Sequence, residues 1–208
     1  MRMFKRVATV AMMAGLVAGT AGVASASAAT RAPESASQVS LTGGHTSVTT
    51  APGIAAALLG HGIVPLATLP GTEGASIGSS GVAVTFTFPV TGGYLNAAAL
   101  KGTIRHQGGI LFIAPATGKQ LEVSDFVISV QKGVLTAEVN GNPKVRVPLL
   151  SLSLAHATTH AGWHYVQISG IALTLTGTAA SALDATFSTT LFKAGLDFGT
   201  ATTLLKFK

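Results

Sequence analysis

The sequence predicts a mainly β domain: an antiparallel, two-sheet sandwich-like fold with one or two short helices. Three observations point there. Val82, Val84, Phe86, Phe88 and Val90 share one face while Ala83, Thr85, Thr87 and Pro89 share the other, the period of a half-buried strand. Turn signals then recur at short intervals, at Gly92-Gly93, Gly108-Gly109, Gly118, Lys132-Gly133 and Asn140-Gly141-Asn142-Pro143. Charged residues are only 10% of the chain while Gly, Thr and Val abound, which suits strands better than helices.

The elements follow in order. Arg2, Lys5 and Arg6 precede an apolar stretch from Val7 to Val23, and Ala24-Ser25-Ala26 or Ala26-Ser27-Ala28 supplies a small-residue cleavage pattern. Residues 1–29 are therefore expected to be a secretory signal peptide that is removed. The stretch is rich in Ala and Gly, unlike the ~20 strongly apolar residues of a membrane span, so no transmembrane segment is expected in the mature chain. Residues 30–47 are small and polar without sustained period, and predict a flexible N-terminus. Residues 48–208 are expected to form a single domain.

Ala51 to Gly60 places Pro early, Ala and Leu in the body and Gly last, the start and stop chemistry of a short helix. Residues 62–80 read as loop, broken by Pro65, Pro70, Gly71, Gly74 and Gly78. Two later strands change phase. The apolar set moves from Leu121 and Val123 to Phe126, Ile128 and Val130, which places a β-bulge at Ser124-Asp125. It moves again from Val145 and Val147 to Leu150, Leu152 and Leu154, so Pro148-Leu149 marks a bend or a change of sheet. Gly170 to Leu175 and Thr200 to Phe207 read as strands flanking an Ala-rich helix, residues 177–186, capped by Thr176.

Charge excludes some partners. Removing the three basic residues of the leader leaves ten Lys and Arg against seven acids, a net charge of +3. These cations are dispersed, with no run and no aromatic interleaving, so nucleic acid is not an expected partner. The chain has no cysteine, hence neither disulfides nor a lipid-modified N-terminal Cys. Leu69-Pro70-Gly71-Thr72-Glu73 resembles part of a wall-sorting signal but sits in mid-chain with no apolar tail behind it, and reads as loop.

Six histidines are the main ionisable candidates for chemistry. His156, His160 and His164 flank a hairpin whose loop is expected at Thr158 to Gly162. If Ala157 pairs with Trp163, His156 opposes His164 with Cβ atoms roughly 5 Å apart, and with His160 over the loop the three form a candidate transition-metal site. The same histidines equally suit a solvated hairpin tip. His106, at a strand end before two glycines, is the candidate for a ligand pocket, because glycine lets a partner approach the backbone; a simple tight turn is its plainer reading. No Gly-x-Ser-x-Gly elbow occurs, and the only close acid pair is Glu122 and Asp125, so an enzyme is not expected.

Phe88-Pro89-Val90-Thr91-Gly92-Gly93, Gly102-Thr103-Ile104-Arg105-His106-Gln107-Gly108-Gly109-Ile110, Leu121-Glu122-Val123-Ser124-Asp125-Phe126, Leu135-Thr136-Ala137-Glu138-Val139 and Leu173-Thr174-Leu175-Thr176 resemble, in this order, the HtaA domain family. These are secreted or surface-attached bacterial domains, some of which bind haem, and the resemblance runs over residues 82–203. It implies two packed β-sheets with one or two short helices. In haem-binding members, a Tyr from an N-terminal Ser-Phe-x-x-Tyr segment holds the iron and a His in a Gly-His-x-Gly region supports that Tyr. His106 matches the second element, whereas the first is absent because no Tyr precedes Tyr94. Tyr94, Tyr165 and the hairpin histidines are then the substitute candidates, since Tyr and His both serve as axial ligands. The expected function is an exported, non-enzymatic domain at the bacterial envelope that binds haem or another small apolar ligand. The alternative is a structural or adhesive module that binds cell-wall or surface components and no small molecule.

Overall fold

A computed structural model describes residues 38–79, 81–96, 99 and 101–208. The expected signal peptide and residues 30–37 lie outside the described residues. The elements run β1 (Val39–Thr50), α1 (Ile54–Gly60), β2 (Val64–Thr68), β3 (Thr72–Gly78), β4 (Gly81–Asn96), β5 (Lys101–His106), β6 (Gly109–Ala114), β7 (Lys119–Ser129), β8 (Val134–Val139), β9 (Asn142–Ser153), β10 (Thr158–Ala161), β11 (Tyr165–Leu175), α2 (Gly177–Phe187) and β12 (Asp197–Phe207).

The mainly β, antiparallel class holds, but the two-sheet sandwich is corrected to a barrel. Eight strands close on themselves in the order β7-β5-β4-β1-β12-β11-β9-β8, with β8 pairing back to β7. Closure follows from β7. Its first half pairs with β6 and its second half with β5, while β8 runs along its other edge from Val123 to Ser129. The ladder shift between Ser124 and Val127, with Asp125 in the left-handed region at φ 49°, is where one neighbour gives way to the other. The phase slip in the sequence marks this bulge, yet it turns a barrel wall instead of a sandwich corner. The second slip is also a bulge: Leu135 faces Leu150 and Thr136 faces Pro148, so Leu149 is extra and both leucines are buried.

Two stretches read as irregular are strands. β1, expected to be flexible up to residue 47, lies between β4 and β12 in the barrel wall. Its inward positions include Thr46 and Thr50, both buried, so the polar residues that hid its period are core residues. Residues 62–80, expected as loop, contain β2 and β3, which hang on the barrel through β6 and β4. They are edge strands, where Pro and Gly are tolerated because one side of the backbone needs no partner. Gly92-Gly93, expected as a turn, instead continue β4 through a bulge between Val90 and Gly92. A Cβ at Gly93 would fall 2.0 Å from the Thr103 carbonyl oxygen, so only glycine lets β4 and β5 meet there.

The inner face is apolar, with Phe86, Leu173 and Leu205 essentially inaccessible. The outer face carries hydroxyls that bridge strands, as in Ser47 to Thr87 and Thr49 to Thr85, both 2.9 Å. Helix α2 closes one end. Thr176 caps it by accepting from the Ala179 amide at 3.2 Å and donates to the Pro148 carbonyl at 2.6 Å, fixing the helix to the β9 bulge. Its Ala179, Ala180 and Leu183 are buried. Among the described residues, the other end of the barrel, bounded by Leu95, Val130 and Leu154, is open.

Candidate functional site

A polar layer crosses the apolar interior between these two ends. His106, the last residue of β5, is 5% exposed and its Nε2 lies 2.7 Å from the Thr46 Oγ1 of β1. Thr46 Oγ1 in turn lies 2.5 Å from Thr203 Oγ1 of β12. The Nδ1 atom of His106 is buried and makes no hydrogen bond among the described residues. Burial lowers the His106 pKa from 6.5 to about 4, and the nearby Phe126 backbone offsets only part of that effect. The ring is thus neutral at physiological pH. Gly108 beside it has φ 90° and packs against the backbone of Thr68 and Gly71.

The layer separates two spaces. On the α2 side, an inner cavity of about 40 Å³ is bounded by His106, Thr46, Phe126, Leu150 and Leu183, all buried. It has room for on the order of three water molecules. On the open side, a mouth of about 440 Å³ is walled by Leu95, Ile104, Ile128, Leu152, Ile168 and Ile171, with Thr203 at its floor. Ser129, Gln131, Lys132 and Ser153 stand on its rim. A volume of this size with apolar walls and few polar groups is the ordinary form of a small-molecule site, and barrel mouths are a common place for one.

The sequence-derived candidates do not converge. His106 is inside the barrel. Tyr94 is 38% exposed and borders neither space; its neighbour Leu95 points into the mouth, so alternation turns Tyr94 outward. Tyr165 packs against Gly162 and lies 6.2 Å, centroid to centroid, from His160. It too borders neither space.

The register expected for the hairpin is corrected. Thr158 pairs with Ser169 and Ala161 with Val166, so residues 158–161 are strand and the turn falls at residues 162–164. Trp163, 88% exposed, is in that turn instead of pairing with Ala157. His156 therefore lies beside Gly170, while the His164 carbonyl accepts from the Phe207 amide. His156, His160 and His164 form no group able to hold a metal ion; no cluster of three such ligands occurs among the described residues.

Thr46, Thr203 and the mouth residues were not singled out from sequence. Their signal is a threonine at an inward position of an otherwise apolar strand face: Thr203 between Ala201 and Leu205, and Thr46 two residues before Val48.

The residues present do not fit haem ligation at His106. Its Nε2 is engaged by Thr46, the space beside it is about 40 Å³, and no tyrosine borders it.

No helix among the described residues is long and apolar enough to cross a membrane. No protein-family model matches the chain, and neither does any curated protein. Among solved structures, the chain is similar to the C-terminal domain of HtaA from Corynebacterium glutamicum, with a TM-score of 0.55, 14% identity, and coverage of 82% of this chain and 99% of that one. It is also similar to a domain-swapped dimer of a histidine-to-alanine variant of that domain, with a TM-score of 0.45, 16% identity, and coverage of 70% and 84%. The chain thus has an HtaA-like fold, reached with little shared sequence.

Proposed function

We propose that this chain is an exported, non-enzymatic binding domain of the bacterial envelope that takes a small apolar ligand into the open mouth of its barrel. The observation that carries the reading is the mouth itself: about 440 Å³, walled by Leu95, Ile104, Ile128 and Ile171, and open past a polar rim. Export is the expectation from the leader-like residues 1–29, and the HtaA-like fold agrees with a binding role at the cell surface. A small apolar ligand is preferred to haem because the one histidine that matches the haem-binding pattern is sealed behind Thr46 and Thr203.

Titration with the neutral dye N-phenyl-1-naphthylamine tests this. The expected result is a fluorescence rise at micromolar dye that is lost in Ile128→Trp, where the indole fills the mouth. Equal fluorescence with both proteins, or none with either, would overturn it. A second reading, adhesion to wall or surface polymers, is favoured by Trp163 standing 88% exposed on the β10–β11 hairpin. It predicts sedimentation with cell-wall material that Trp163→Ala abolishes.

A further inference from the structure

The acids of the barrel are sorted by end. The described acids are Glu73 on β3, Glu122 in the first half of β7 and Asp125 at its bulge, Glu138 late in β8, Asp184 on α2, and Asp197 opening β12. Register places the strand acids toward the α2 end or on the sheet extension beside it, and Asp184 stands on α2 itself. Lys119, Arg146 and Lys193 stand among them, whereas the mouth end carries described cations and no described acid side chain. Lys132 lies in the β7–β8 turn on the rim, Lys101 opens β5, Lys206 is near the end of β12 and Lys208 follows it. The Lys132 side chain is exposed and makes no ion pair or hydrogen bond among the described residues. The molecule therefore presents an apolar hole with an unpaired lysine, Lys132, on its rim.

That pairing selects a ligand chemistry. An apolar chain gains by entering the hole in proportion to the area it removes from water. A rim cation next to low-dielectric walls has a stronger field than one on open surface, and attracts a negative group that stays in water. Neutral hydrocarbon leaves the cation unused, and a cationic amphiphile is repelled by it. We infer that the occupant of the mouth is a single-chain amphiphile with a carboxylate head, of the fatty-acid class, its tail against Ile104, Ile128 and Ile171 and its head at Lys132. This rests on the mouth being a binding site, as proposed above, and specifies what enters it.

The test uses 11-(dansylamino)undecanoate and its methyl ester, which share a tail and differ in head charge. Trp163, the sole tryptophan of the chain, serves as energy donor to the dansyl group. At low salt the acid is expected to bind about ten-fold tighter than the ester, the scale of one charge-assisted contact. Lys132→Glu should remove that preference with the ester still bound, and circular dichroism should show the variant folded. Equal affinity for acid and ester, insensitive to Lys132→Glu, overturns the assignment of the head while the mouth stands as an apolar site. Binding of neither overturns both. Sedimentation with phosphatidylglycerol vesicles without binding of the free acid also overturns it, in favour of a membrane surface as the partner.

Discussion

Thr46 and His106, sixty residues apart in sequence, meet at 2.7 Å inside the barrel, and the Thr46 hydroxyl is shared with Thr203. Every bond in this layer is buried, so each partner depends on the next.

Thr46→Val should therefore cost about 1–3 kcal/mol of unfolding free energy, the price of leaving buried polar groups without partners. Adding His106→Leu and Thr203→Val should recover much of that loss, since no polar group then remains to be satisfied. Urea denaturation of the parent, Thr46→Val and the triple variant decides it; a triple variant no more stable than Thr46→Val would contradict the coupling.

Acid should destabilise the fold through His106. Its pKa is about 4 folded against 6.5 unfolded, so between these values the unfolded chain binds the extra proton. Stability is then full above pH 6.5, falls as pH drops toward 4, and levels off below. The shift corresponds to about 3 kcal/mol. Unfolding measured at pH 7.5 and pH 4 should differ by that much more in the native chain than in His106→Leu.

Gly93→Ala should disrupt the domain, because the new Cβ would fall 2.0 Å from the Thr103 oxygen and φ is 127°. A loss of at least about 2 kcal/mol, or failure to fold, is expected. Gly74→Ala on the exposed strand β3 meets nothing within 4 Å and should stay within about 0.5 kcal/mol of the parent. Thermal melts of the pair provide the check.

Leu183→Ala should cost about 2–5 kcal/mol, since it removes a buried side chain of α2 from the wall of the inner cavity. The enlarged space is apolar apart from His106 and Thr46, so it should take up xenon or benzene, as engineered apolar cavities do. Raised melting temperature in saturating benzene, in the variant only, is the expected signature.

Much of the wall was legible because it is local. The β7 bulge showed as a phase slip at Ser124-Asp125, and α2 as Thr176 followed by an Ala-rich run, since bulges and caps are written within a few residues. Closure was not, because it depends on which strand lies on each edge of β7, a choice made by residues far apart in sequence. β1 was hidden by Thr46 and Thr50, polar residues whose partners lie on β5 and β4. The histidine hairpin was misplaced because Trp163 looks like a strand residue and occupies a turn. The site was least legible: His106 was visible as a histidine, but its engagement by Thr46 and the mouth beyond Thr203 exist only once the barrel closes.

Each threonine hydroxyl of the buried layer owns one proton, so the chain Thr203, Thr46, His106 can point in only two directions. In one, the imidazole donates from Nε2 and the Thr203 proton is left to face the mouth; in the other, Thr203 gives its proton inward, its oxygen faces the mouth as acceptor, and Nδ1 carries the hydrogen. The tautomer of a histidine buried inside the barrel thus records whether the floor of the mouth is being asked to give or to accept a hydrogen bond.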